Sequence, residues 1–422
     1  MKIKVRIFKY SVSDSIKKLK LIDWLVIIFF VWGYGRITTS IYRPVLMVLS
    51  LPIVLLMGKS LIKVVPEDIC IWVYALFLLL FFLQIPFSVE SKKALSYFLA
   101  YSLYIVPLIM FSYYRNKNLL GRLKTICLLI GAFLTIMCIL SLIYYRIHPG
   151  IARLHATHRS DMDGLMIGGG YQLAYVCALI SPCILKCLCE SKRRFKYIIL
   201  IIIVYLVLWK TTSAITLLAG LIGCGVYIFL SGGPKKRIIT ISFLGAFIIG
   251  FTVFREGIGD FILSISNGKV VTSTSNMNYA IYMRLNEIGQ LIRNGNCQNL
   301  EALSARVDNF TRPFDSIIHH PIMGALLTTG VNPEWANYND SSILTAFACW
   351  GTPMALTYLF PFFFTIKRYK IFIGTGIAAV VLMLFNPSEG FSVYATCYFL
   401  LPSIALLYSD FQKVKNERGC GI

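Results

Sequence analysis

A small set of side chains in this sequence could do chemistry on an anionic substrate. Arg306, Arg153, Arg159 and Lys210 supply positive charge, while Asp340, His319 and His320 can accept a proton, and Asn339 and Ser341 flank the carboxylate. Arginine suits phosphate because its planar fork donates two parallel hydrogen bonds and stays charged when partly desolvated. A carboxylate such as Asp340, held near those cations and a bound anion, is a candidate general base for a hydroxyl group, with either histidine as an alternate near neutral pH. Plainer roles exist for each. Asn339 or Asp340 could cap a helix, one of the histidines could cap a helix C-terminus, and cations beside a bilayer could only touch lipid headgroups.

The elements that would position these residues are apolar. Twelve stretches read as membrane spans: near Asp23–Tyr34, Tyr42–Met57, Ile69–Ile85, Leu95–Tyr113, Thr125–Tyr144, Tyr171–Leu188, Tyr197–Trp209, Thr212–Leu230, Ile238–Val253, Ser342–Ile366, Ile371–Phe385 and Tyr394–Tyr408. About 20 helical residues cross a hydrocarbon core, and these blocks lack the alternation of barrel strands. The expected fold is therefore all-α, a polytopic bundle forming a single membrane domain over 1–422. Its 57% hydrophobic and 14% charged composition fits no soluble globular chain.

Arg255 to Tyr338 interrupts the pattern with a long polar excursion before the last three spans. Apolar residues at Leu300, Leu303, Val307, Phe310, Phe314 and Ile317 share one helical face, as do Ile281, Leu285, Ile288 and Ile292. At least two amphipathic helices are expected there, lying on the bundle's outer surface and roofing a cavity. Pro313 would kink the second or begin a new one. Gly324 would turn the chain after His319-His320-Pro321.

Charge sets the orientation. With the N-terminus inside, 27 of the 41 basic residues but only seven of the 19 acidic ones fall in inner segments. This is the positive-inside pattern. It places the basic N-terminus 1–20 and the tail 411–422 in the cytoplasm, and the 255–338 loop on the far side. The net charge of +22 is then topology and contact with anionic membrane lipids, and implies no nucleic acid. No cleavage site follows the first apolar run, so no signal peptide is expected. Most of the twelve cysteines lie in spans, as small apolar residues, and Cys297 is alone in the loop, so no disulfide framework is expected. Cys183, Cys187 and Cys189, or His155, His158, Asp161 and Asp163, resemble metal sets only superficially; no metal or cofactor is expected.

The order Arg306, Phe310, Pro321-Ile322-Met323-Gly324, Asn339-Asp340-Ser341, then Trp350-Gly351 resembles the C-terminal signature of the O-antigen polymerase and ligase superfamily. About twelve spans with one large outer loop before the last three match as well. The resemblance implies a metal-independent glycosyltransferase of a bacterial inner membrane, using an undecaprenyl diphosphate-linked oligosaccharide on the periplasmic side, with a chain-length regulator as a further partner. It gives Arg306 the departing diphosphate, assisted by Lys210, Arg153 or Arg159, and Asp340 the acceptor hydroxyl. Two positions depart from the family pattern. Lys210-Thr211 stands where an arginine is common, and Asn339-Asp340 where ligases carry histidine, which favours a polymerase over a ligase. A lipid-oligosaccharide flippase is the rival from another class, and would be expected to carry charged residues at mid-membrane.

Overall fold

A computed structural model describes residues 16–35, 42–58, 61, 68–88, 91–147, 171–191, 194–211, 213–231, 233–270, 285–286, 288–290, 292–294, 301–325, 341–368, 373–385 and 390–409, with the backbone alone over 266–270, 301–309 and scattered helical positions elsewhere. The described residues are helical and contain no strand. The described residues of each of the twelve apolar stretches fall almost wholly in a helix or a broken pair of helices. Six of these are long and apolar enough to cross a membrane: Ile69–Phe87, Ala94–Asn116, Leu120–Ile147, Gln172–Glu190, Ser342–Arg368 and Phe391–Ser409. Leu21–Gly35, Tyr42–Met57, Ile215–Ser231 and Ile373–Phe385 are apolar but shorter.

In chain order the helices are α1 (Leu21–Gly35), α2 (Tyr42–Met57), α3 (Ile69–Gln84), α4 (Ser91–Ser102), α5 (Ile105–Asn116), α6 (Leu120–Ile147), α7 (Gln172–Glu190), α8 (Arg194–Lys210), α9 (Ala214–Ser231), α10 (Pro234–Val253), α11 (Arg255–Val270), α12 (Glu301–His319), α13 (Ser342–Arg368) and α14 (Ile373–Phe385). The last, α15 (Phe391–Ser409), contains a π-helical turn at Thr396–Leu400. The span expected over Leu95–Tyr113 is broken between α4 and α5. Pro107 has no N–H to give to the Leu103 carbonyl, and its ring crowds the preceding turn. The Tyr101 carbonyl near the break is taken up by the Tyr74 hydroxyl at 3.0 Å.

Close backbone approach ties α9 to α14, where a Cβ on Gly223 would lie 2.7 Å from the Gly374 carbonyl oxygen and one on Gly374 would lie 2.3 Å from that of Gly223. Small residues at such crossings let membrane helices gain dispersion contact that water-exclusion cannot supply in lipid. The centre of the bundle is aromatic. Tyr74, Phe77, Phe81, Tyr101, Tyr358 and Trp350 pack edge to face or tilted, and the Tyr358 and Tyr394 hydroxyls are hydrogen-bonded.

One end of the bundle collects buried charge. Asp23 is fully buried and accepts both Nε and Nη2 of Arg122 at 2.6 Å, the Tyr114 hydroxyl at 2.6 Å and the Lys20 amide at 2.7 Å. Asp68 caps α3 through the Cys70 amide, accepts the Ser112 hydroxyl at 2.7 Å and pairs with Arg115 at 3.3 Å. These contacts join the starts of α1, α3 and α6 to the end of α5, as successive crossings of a membrane require.

The polar excursion holds a further helix, α11, besides the two apolar stripes read from the sequence. α11 follows α10 almost directly, and Arg255 donates to the Ile292 and Arg293 carbonyls. Gly259 and Gly289 allow the two segments to touch. Of the helix expected near Met277–Ile292, only short pieces from Leu285 onward are described, and they are helical. Pro313 lies inside α12 and begins no new helix there.

Candidate functional site

α13 is broken at its middle. Gly351 has φ 75° and ψ 167°, a backbone region that side chains with a Cβ rarely adopt, and Thr352-Pro353 follows it. A break within an apolar helix releases a carbonyl and an amide, and both need partners where water is excluded. The chain ahead of α13 supplies them. Ser316 of α12 donates its hydroxyl to the Ala348 carbonyl at 3.2 Å, and the Pro321 carbonyl accepts the Thr352 amide at 2.7 Å.

The turn that reaches the break is built from His320 to Gly324. The Gly324 amide bonds back to the His320 carbonyl at 3.0 Å, and Gly324 has φ 69°. A Cβ there would stand 2.3 Å from the Cys349 carbonyl oxygen, and one on Gly351 would stand 2.1 Å from that of Ile322. Two glycines are therefore required at this crossing, one on each strand of the seam. Trp350 fixes the α13 side from behind, with ring centroids 5.0 Å from Phe77, 4.9 Å from Tyr101 and 4.9 Å from Tyr358.

The upper part of the seam meets α14. Phe310 packs on Phe385 at 6.1 Å, and the Ser341 hydroxyl reaches the Met383 carbonyl at 3.4 Å. Ser341 also accepts the Leu344 amide at 3.2 Å, so it is the side chain seen to cap α13. Arg306 stands one turn before Phe310 in α12, where only the backbone is described.

His319 is exposed; its Nδ1 lies 2.9 Å from the Asp315 carbonyl and 3.3 Å from the Asp315 carboxylate, at the C-terminal end of α12. His320 is half-buried in the turn. Lys210 is exposed at the end of α8, a helix that packs on α6, α7 and α9, whereas α12 packs on α13. Arg153, Arg159, Asn339 and Asp340 lie outside the described residues, as do His155, His158, Asp161 and Asp163. Among the described residues no group of His, Cys, Asp and Glu could hold a metal ion, and Cys183, Cys187 and Cys189 are free thiols.

Within the stripe expected on one face of α12, Phe310 packs on Phe385 while Phe314 is 52% exposed, and the side turned to α13 runs through the buried Pro313 and the half-buried Ser316. Sequence reasoning missed Ser316, Thr352 and Pro353. Their signal was present as Gly-Thr-Pro inside an apolar run, a sequence that must leave backbone groups in need of partners.

No protein-family model matches this chain, and no curated protein matches it significantly. Its residues and their placement carry the functional argument.

Proposed function

We propose that this chain is a polysaccharide polymerase of the bacterial inner membrane, moving a growing glycan from undecaprenyl diphosphate to a sugar hydroxyl of another lipid-linked repeat unit on the periplasmic side. The observation that carries the reading is the seam. Gly324 and Gly351 are 27 residues apart in sequence, belong to the signature this chain resembles, and meet in a close backbone contact, each with a positive φ that also favours glycine.

In this reading the seam holds α12, which bears Arg306, against the helix opened by Asn339-Asp340-Ser341. Arg306 stabilises the charge gathering on the leaving diphosphate, with Lys210, Arg153 or Arg159 assisting. Asp340 takes the proton from the attacking hydroxyl, with His319 or His320 as the alternate. As the hydroxyl oxygen bonds to the anomeric carbon, the bond to the diphosphate oxygen breaks and its electron pair leaves with the phosphate. No nucleotide is consumed.

Deleting the gene tests the reading. Surface glycan reduced to single repeat units, restored by the wild-type chain but not by Arg306→Ala or Asp340→Ala, is the expected result. Complete loss of attached glycan would instead identify a ligase acting on the lipid A core, and an unchanged glycan ladder would refute both.

A further inference from the structure

From Phe310 onward the exposed surface of α12 divides by chemistry. Phe314 and Ile318, one turn apart, are 52% and 73% exposed, and Ile322 and Met323 continue the strip into the turn at 67% and 54%. Asp315 and His319 each follow one residue later, hence about 100° further round the helix, and with Arg312 they form a second exposed strip that is entirely polar. The third side, through Pro313 and Ser316, is the one fastened to α13.

Depth can be read from the neighbours. The Pro321 carbonyl is bonded to Thr352, two residues from Trp350, and Trp350 packs on Phe77 and Tyr101. Phe77 lies seven residues inside the Gln84 end of α3, and Tyr101 lies seven residues inside the span that starts at Ala94. At 1.5 Å per residue both are about 10 Å below the rim of the bundle. A hydrocarbon core is about 30 Å thick, so a turn at this level lies within one leaflet.

We infer that Phe310–Gly324 is a re-entrant element, dipping into the leaflet on the Ser342 side of the bundle, with Phe314, Ile318, Ile322 and Met323 against lipid acyl chains and Arg312, Asp315 and His319 lining a water-filled cleft. Non-helical backbone is tolerated at that depth when its polar groups are bonded within the protein, as the Pro321 carbonyl and Gly324 amide are. The polar strip requires water on its own side, because an exposed carboxylate facing hydrocarbon would be strongly disfavoured. A wall that is apolar on one flank and hydrated on the other suits an amphiphilic substrate. The placement itself does not rest on the glycosyl-transfer reading and would hold equally for a transporter.

Site-directed spin labelling of the full chain in phospholipid vesicles tests it, with the exposed native cysteines replaced by serine. Labels at Ile318 and Ile322 are expected to show a several-fold higher ratio of oxygen to nickel-chelate accessibility than labels at Arg312 and Asp315. Phe314 and Met323 serve as a second apolar pair should either first variant fold poorly. Equal ratios on the two strips, or a higher ratio on the polar one, would overturn the inference.

Discussion

The two ends of the bundle solve the problem of polar groups beside a membrane in opposite ways. At the basic end, Asp23 and Asp68 are buried and their oxygens are filled by Arg122, Tyr114, Ser112 and Arg115. At the other end neutral groups meet, backbone against backbone across Gly324 and Gly351 with serine hydroxyls on freed carbonyls, while Asp315 and His319 stand exposed. Satisfied buried charge fixes how helices assemble. A Gly-only backbone beside polar side chains open to solvent leaves groups within reach of a ligand.

Breaking the first arrangement should cost the most. Arg122→Ala leaves the Asp23 carboxylate buried without its bidentate partner, and is expected to destabilise the fold by about 3–5 kcal/mol, read as a lowered unfolding temperature in detergent and reduced membrane level. Replacing both partners, as Asp23→Asn with Arg122→Met, should recover much of that loss.

Next comes the seam. Gly351→Ala must place a Cβ at a φ of 75° and against the Ile322 carbonyl, a strain on the order of 1–3 kcal/mol before any clash. Chain extension is expected to fall far more than membrane level does, the reverse of the Arg122→Ala outcome. Similar losses of both readouts in the two variants would erase the distinction between the ends.

Ser341→Ala removes the hydroxyl that caps α13 and should cost about 1 kcal/mol of stability. The smallest effect on folding belongs to His319→Ala. Its pair with Asp315 is exposed, and such pairs contribute up to about 1 kcal/mol, so thermal unfolding should barely move. A lasting loss of activity in that variant would give His319 a chemical role beyond its capping position.

Much of the helical scaffold was legible from the sequence because membrane helices announce themselves by apolar length, and six of the described helices are long and apolar enough to cross a membrane. The breaks were harder to read. Pro107 and Pro353 both interrupt spans, yet Pro182 and Pro361 lie inside continuous helices, so proline alone does not mark a break. What distinguishes Pro353 is Gly351 two residues earlier and a partner more than 30 residues upstream to take the freed Ala348 carbonyl. That partner, Ser316, is an ordinary polar residue until the fold places it. α11 was hidden for a similar reason. Its Arg255, Glu256 and Asp260 read as loop, but Arg255 and Asp260 are spent on Ile292 and Arg293. The pairing of Pro321–Gly324 with Trp350–Gly351 was legible only as an order of motifs, since contact between distant turns leaves no local period.

The proposed chemistry is glycosyl transfer at the seam end, driven by a lipid diphosphate leaving group. Purified protein reconstituted in vesicles with lipid-linked repeat units, without nucleotide or ion gradient, tests it most directly. The account predicts products of increasing length and release of undecaprenyl diphosphate, both lost in Arg306→Ala. Unextended repeat units, carried across the vesicle membrane instead, would contradict it.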